Sequence, residues 1–518
     1  MLQLRAAVFA ALSLFLGANF AFAQDVMLTS RDGKVEITGN LLGFDGEFYR
    51  VDTIYGELTV DGSGVQCDGP GCPNLMNFVA EVSISGAAGM AEVLMPALIE
   101  AFALRNSYQV ERHSTDIHQF EYHLSDAEGT KLAQFYFSAS NSDEGFADLL
   151  ADEADIAMSL REIRPNEAKL GFDAGLGDMR TANRSRVLAL DGMVPIVAPG
   201  NPVRDISLVN LAKVFSGEID NWQALGGPDA EIALHLMEAQ SGLAQAVEDQ
   251  LMKRAQLDLH EGIFRHNRNL SLTSAVSRDP FAIGIGSFAQ LGRAFPLTLS
   301  GSCGFSLSVS RRNIKTEDYP LTAPMFLYFP ARRLPKVARE FLTYTRSPSA
   351  QIVIRRAGYV DQAPEEVAIN FQGDRFANAI SVAGEDVALE ELQRMVGRLT
   401  PMKRLTTSFR FEAGRTQLDA QSRSNVQQFA RALEAGTYDG REVLFVGFSD
   451  GDGPASGNRE IALKRSDAVR RAVLAAAETI NPDLLTLDID AFGEAMPMAC
   501  DDSAWGRQVN RRVEIWVR

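Results

Sequence analysis

The chain has 518 residues, 46% of them hydrophobic and 23% charged, a composition with apolar residues enough for several cores. At roughly 150 residues per domain it has room for about three domains. A formal net charge of −17 argues against nucleic acid or an anionic membrane surface as partner, since both select basic patches.

The chain opens like a secretory leader. Arg5 supplies a positive start, residues 6–16 an apolar run, and Ala21, Phe22 and Ala23 a small-x-small cleavage site before Gln24. That run is too short to span a bilayer, and no later stretch reaches about 18 uncharged apolar residues, so no membrane span is expected once residues 1–23 are removed. Four cysteines in an exported chain favour disulfides. Cys67 and Cys72 flank the turn Asp68-Gly69-Pro70-Gly71 and are expected to pair. Cys303 and Cys500 lie far apart in sequence; pairing across domains is one outcome, and two separate buried thiols is the expected one.

Residues 24–75 read as a small β unit. Lys34-Val35-Glu36-Ile37-Thr38 and Glu57-Leu58-Thr59-Val60 alternate with the strand period, and Asp32-Gly33 and Asp45-Gly46 are hairpin-type turns. From 76 to 368 strands alternate with helices, as in an α/β domain. Val82-Ser83-Ile84-Ser85 is a strand running into Gly86-Ala87-Ala88-Gly89 and an apolar helix, and strands are expected at 186–190, 193–197 and 282–286. A segment of this length exceeds one comfortable core, so two lobes with a cleft are expected. Residues 369–404 are mixed and polar and read as a linker with a short helix at Leu389–Leu399. Residues 405–518 form a β-α-β-α-β unit whose first helix aligns Val426, Phe429, Ala430 and Leu433 on one face. The expected fold class is therefore multidomain α/β and α+β.

Between the second strand and second helix of that last unit lies Gly447-Phe448-Ser449-Asp450-Gly451-Asp452-Gly453, followed by Asn458 and Arg465; the final strand opens with Asn510-Arg511-Arg512-Val513-Glu514-Ile515. This combination resembles the OmpA-like peptidoglycan-binding domain. In that family a strand ends in Gly-x-Thr-Asp, with a Gly, an Asn and an Arg at fixed steps beyond the Asp, and Asp450, Gly453, Asn458 and Arg465 fall on those positions. Ser449 replaces the usual Thr and keeps its hydroxyl, while Ala462 replaces a usual Ser. The resemblance implies binding of the peptide stem of Gram-negative peptidoglycan, whose diaminopimelate carries an ammonium beside a carboxylate. Asp450 would take the ammonium and the Arg465 fork the carboxylate, with Ser449 and Asn458 beside them.

In the middle segment, Leu211-Ala212-Lys213-Val214-Phe215-Ser216-Gly217-Glu218-Ile219-Asp220-Asn221-Trp222 and Asp155-Ile156-Ala157-Met158-Ser159-Leu160-Arg161 resemble segments of PstS-like phosphate-binding proteins, as does the stretch 191–203. The resemblance implies two α/β lobes closing on a solute held by hydroxyls, backbone N–H groups and an Arg. The ligand loops have drifted. Gly86-Ala87-Ala88-Gly89 stands for Gly-Ser-x-Thr, leaving only Ser85 as a hydroxyl; Asn141-Ser142-Asp143-Glu144-Gly145 stands for Gly-Ser-Gly-x-Gly; and Met237-Glu238-Ala239-Gln240-Ser241-Gly242-Leu243 has lost the Arg and Thr of Arg-x-x-x-Ser-Gly-Thr. The implied solute set is Ser85, Gly86, Ala87, Ser142, Ser159, Arg161, Ser241 and Gly242. Phosphate, another small solute, or a pocket retired to protein contact all remain readings of it.

His113, His118 and His123 recur every five residues, a spacing that matches neither helix nor strand, so no metal site is expected. No Gly-x-Ser-x-Gly elbow frames a nucleophile, and no enzymatic activity or cofactor is expected. The expectation is a periplasmic protein held on peptidoglycan, associated with the outer membrane, and presenting a solute-binding domain. The competing expectation is a wall-anchored structural or signalling adaptor whose middle domain contacts proteins and binds no solute.

Overall fold

The computed structural model describes residues 25–75, 78–116, 118–181, 183–384, 387–411 and 417–518. The leader expected at 1–23 lies outside the described residues. The chain divides into two compact units, one holding residues up to Glu81 with 131–133 and 333–340, the other 82–130, 134–332 and 341–518.

The first unit is built on a five-stranded antiparallel sheet in the order Gly56–Asp61, Phe48–Thr53, Glu36–Phe44, Val26–Ser30, Val65–Asp68. Its core is thin, centred on Val26, Leu28, Tyr49 and Val51. Cys67 and Cys72 are joined with their Cα atoms 5.8 Å apart. A loop this short gains only about 2 kcal/mol from cross-linking by the chain-entropy estimate. Within the same unit, Arg333 pairs with Asp45 at 2.8 Å and Arg339 with Glu47 at 2.6 Å.

The second unit contains an eleven-stranded mixed sheet organised around one long strand, Ser185–Val197. The N-terminal half of that strand pairs with Thr322–Tyr328, beyond which lie Ile156–Ser159 and Ala80–Ala87; the C-terminal half pairs with Ala282–Ser287, beyond which lie Ala233–Met237 and Phe264–His266. Two half-sheets thus share a backbone, which is how the expected lobes arise. The sequence suggested two strands here because Asp191-Gly192 interrupts the apolar run. The structure keeps one strand, because the buried Asp191 carboxylate accepts the Ser287 hydroxyl at 2.5 Å and the Ala289 amide at 3.2 Å. The histidine spacing also reads differently in space. A hairpin pairs Gln109–Ser114 with Gln119–Ser125, and the rings of His113 and His123 come within 4.5 Å across it.

At the C-terminal end a five-stranded sheet runs Glu366–Val367, Lys403–Arg410, Arg512–Val517, Glu442–Phe448, Thr486–Gly493. One face packs on the helix Ala420–Glu434, whose Val426, Phe429, Ala430 and Leu433 are all buried. Residues 369–404, expected as a linker with a short helix at Leu389–Leu399, form that helix and a further one, Gly373–Ser381, and the two cover the other face. Leu392, Met395 and Leu399 of the helix Leu389–Leu399 pack against Leu444, Val446 and Trp516. The sequence looked polar because each of these helices has one buried side only.

This C-terminal part is fastened to the α/β part by buried charge. The segment Thr316-Glu317-Asp318, just after the helix Arg311–Lys315, inserts against the strand Lys403–Arg410. Arg404 grips the Asp318 carboxylate with both Nη atoms, at 2.7 and 3.1 Å. Arg410 reaches the same carboxylate at 3.2 Å and the Glu317 carbonyl at 2.8 Å, and the Ser408 hydroxyl donates to the Thr316 carbonyl. Glu514 continues the network through Arg404, Arg375 and Arg512. Burial alone would push the Asp318 carboxyl upward, but the guanidiniums, Arg404 foremost, hold it well below the usual carboxylate range.

The expectation of two separate thiols at Cys303 and Cys500 is corrected by the same docking. The loop after Thr298–Ser300 meets residues 498–503, and the two cysteines are joined with their Cα atoms 5.7 Å apart. Cross-linking positions 197 apart in sequence removes far more unfolded-state freedom than the short loop does, roughly 5 kcal/mol on the same estimate.

Glu317 is the exception in this network. Burial first, and the Asp419 charge second, raise its pKa to about 8. Folded protein therefore keeps a proton that unfolded protein releases near pH 4.5, so stability falls as pH rises from about 4.5 to about 8. Glu317→Gln cannot ionise. Its unfolding midpoint is expected to match wild type near pH 4.5 and to exceed it increasingly toward pH 8; an equal gap at both ends contradicts the assignment.

Candidate functional site

The strand Glu442–Phe448 delivers Ser449 and Asp450 to its C-terminal end, and the helix Ala455–Ala476 follows after a glycine-containing turn. Asn458, Ala462, Arg465, Ser466, Val469 and Val473 form the buried stripe of that helix, so Arg465 faces the sheet from the second turn beyond Asn458. Close approach makes this possible. A Cβ on Gly447 would lie 2.1 Å from the Ala462 carbonyl oxygen, so the strand needs Gly there and the helix can press onto it.

Asp450 is almost buried, and its carboxylate pairs with Arg511 at 2.5 Å. Arg465 is 4% exposed and stacks over the Phe411 ring at 5.2 Å. Among the described residues it makes no ion pair, and its Nε has no hydrogen-bond partner. Burial first, and Arg511 second, lower its pKa, while Asp450 partly restores it. The expected acid and guanidinium are thus brought to one end of the sheet without pairing to each other, and Arg511 stands within electrostatic reach of both. The Ser449 hydroxyl is buried and unpartnered, while its amide donates to Gly493 at 2.9 Å. Asn458 donates to Glu494 at 2.5 Å. Asn510 holds the facing loop, its side-chain oxygen accepting the amides of Met498 at 2.6 Å and Ala499 at 3.1 Å and its nitrogen donating to Asp501 at 2.8 Å. The role of Arg511 was missed in sequence, although the residue sits in the Asn-Arg-Arg run already noted.

The solute loops also converge. A Cβ on Gly242 would lie 3.1 Å from the Ser142 hydroxyl, and one on Gly145 would lie 2.8 Å from the Gly86 Cα. Ser85 donates to Asp148, Ser142 accepts the Leu160 amide at 3.2 Å, and Ser159 donates to the Arg161 carbonyl at 2.7 Å. Ala87 is buried, and Ser241 caps the turn that begins at Gly242 by accepting the Ala244 amide at 3.2 Å.

Arg161, the guanidinium of the expected solute set, is paired within the chain. It holds Glu167 at 2.6 and 2.9 Å and also pairs with Asp143. Burial lowers its pKa, but hydrogen bonds to Glu167 and Asp143 outweigh that and raise it. Asp143 stands in the first turn of the helix Ser142–Leu150, where the N-terminal dipole favours an anion. It falls on the central Gly of the resembled loop, and that substitution was the signal in sequence. A cavity of about 310 Å³ extends from Arg161 past Gln250 and Tyr319, and Arg410, Gln421 and Trp505 of the C-terminal part complete its wall.

Residues 79–349, just over half of the chain, match the family profile described as PBP superfamily domain. The chain belongs to the PBP superfamily. A second profile, the OmpA family, matches residues 410–511. Among curated proteins, the chain is similar to the phosphate-binding protein PstS of Borreliella burgdorferi, 23% identical over 229 residues, covering 43% of this chain and 78% of that protein. It is also similar to the phosphate-binding protein PstS of Bacillus subtilis, 29% identical over 210 residues, covering 40% of this chain and 65% of that protein. Among solved structures, an ABC-type phosphate transport receptor from Vibrio cholerae aligns with a TM-score of 0.42 at 22% identity, over 54% of this chain and 99% of that one. The peptidoglycan-associated lipoprotein from Burkholderia pseudomallei aligns with a TM-score of 0.19 at 23% identity, over 21% and 89% respectively. The PBP-superfamily domain and the OmpA-family domain are therefore the α/β and C-terminal parts described above, and their families are binding proteins.

Proposed function

We propose that this chain is an exported envelope protein that acts by binding, its OmpA-family domain holding the diaminopimelate-containing stem of peptidoglycan in the periplasm. The observation that carries this reading is Arg465, a buried guanidinium with no ion pair among the described residues, set beside the Asp450–Arg511 pair. A buried cation without a counter-ion is costly, and a ligand carboxylate would relieve that cost while Asp450 takes the neighbouring ammonium. Hydrogen bonds to charged groups contribute about 1.5–3 kcal/mol each, or roughly 10- to 150-fold in affinity. Co-sedimentation of the mature protein with purified sacculi should therefore lose at least tenfold with Asp450→Ala and with Arg465→Ala. Full retention by Arg465→Ala, at an unchanged melting temperature, contradicts the reading.

For the PBP-superfamily domain, the geometry favours the adaptor reading over tight phosphate binding. Arg161 already pairs with Asp143 and Glu167, and a phosphate entering beside them would meet two carboxylates. Titration calorimetry of the mature protein with inorganic phosphate is expected to give no saturable heat below about 1 mM, the weak end of specific affinity. A micromolar isotherm would reinstate phosphate as the solute.

A further inference from the structure

The two family domains meet close to the wall site. Trp505 Nε1 donates to the Gln250 carbonyl at 2.7 Å, and Arg254, further along the same PBP-domain segment, donates to Gln508. Gln508 lies on the short helix Ala504–Asn510, and Arg511 is the residue that caps its C-terminal end. Its bond to Gln508 places Arg254 near the helix end from which Arg511 reaches Asp450. Its side chain is solvent-exposed and makes no ion pair among the described residues.

Three guanidiniums, Arg254, Arg465 and Arg511, therefore surround one end of the OmpA-family sheet, and among the described residues only Arg511 is paired with a carboxylate. Desolvation by the surrounding protein, and then Arg511, lower the Arg254 pKa while Asp419 partly restores it, just as burial and Arg511 lower that of Arg465 while Asp450 partly restores it. Like charges held together in this way are stabilised by an anionic ligand that bridges them.

We propose that Arg254, carried by the PBP-superfamily domain, is a third guanidinium of the wall site and takes a second carboxylate of the peptide stem. This rests on the reading of Asp450 and Arg465 given above. The ligand class is a peptide with at least two free carboxylates and one ammonium, and the second carboxylate lies beyond the reach of Arg465. Specificity for the unamidated stem then comes from a residue outside the OmpA-family domain, and the fusion of the two families has a direct chemical role.

The test uses the mature full-length protein and soluble muropeptides with free or amidated stem carboxylates, compared by calorimetry for wild type, Arg254→Gln and Arg465→Ala. Arg254→Gln is expected to weaken the free-carboxylate ligand about tenfold, within the range for one charged hydrogen bond, and to bind the amidated ligand as wild type does. Arg465→Ala should lose both ligands. An unchanged affinity of Arg254→Gln for the free-carboxylate ligand, with Arg465→Ala inactive, overturns the role of Arg254 alone. Equal weakening for both ligands also overturns it, since the contact would then not be to a carboxylate. Full binding by Arg465→Ala overturns the wall-site reading itself. A small loss of melting temperature in Arg254→Gln, from the bond to Gln508, should be the same with and without either ligand.

Discussion

Asp318 is a buried carboxylate between two arginines of another family's fold. Its charge is tolerated in the interior because Arg404 binds both of its oxygens and Arg410 adds a further contact. Removing one partner from such a cluster typically costs about 3–5 kcal/mol, since the remaining charges are left uncompensated. The cluster does more than stabilise. It fixes the end of the helix Arg311–Lys315 against the first long strand of the C-terminal sheet, so a PBP-superfamily domain and an OmpA-family domain share one compact unit. The Cys303–Cys500 bridge, Trp505 on Gln250 and Arg423 on Glu162 add contacts at separated points of the same surface.

This arrangement changes what a solute-binding fold can do. Lobes joined by a shared strand ordinarily open and close as bodies about a hinge. Here the first lobe is tied to the C-terminal domain through Glu162, the second through Gln250 and Cys303, and the connecting segment through Asp318. Opening would have to break the Glu162–Arg423 pair on one lobe, or the Trp505 hydrogen bond and the disulfide on the other. Asp143, in the first turn of the helix Ser142–Leu150, meanwhile pairs with Arg161.

Much of this was legible in the sequence, and the legible parts have a common character. Apolar periodicity located the helix carrying Val426, Phe429, Ala430 and Leu433, and the spacing of Asp450, Asn458 and Arg465 located the groups at one end of the sheet. These are local signals. What stayed hidden depends on contacts between distant segments. Cys303 finds Cys500 only after the domains dock. Asp191 looks like a strand break until Ser287 and Ala289 arrive, and the segment that forms the helix Gly373–Ser381 looks like linker until the sheet supplies a second apolar surface. The closure of Arg161 by Asp143 lay between these cases: the residue was visible, but its consequence required knowing where the guanidinium points.

Amide hydrogen exchange on the reduced protein, with the Cys303–Cys500 bridge opened, tests most directly whether buried charge holds the two domains as one. The amides of Thr316, Glu317 and Tyr319 are hydrogen-bonded at 2.9 Å within their own segment, and in the docked state they lie under the strand Lys403–Arg410. They are expected to exchange as slowly as that strand, with a common opening free energy. Rapid exchange at these three positions, while the strand stays protected, would show that the domains separate freely once the disulfide is gone.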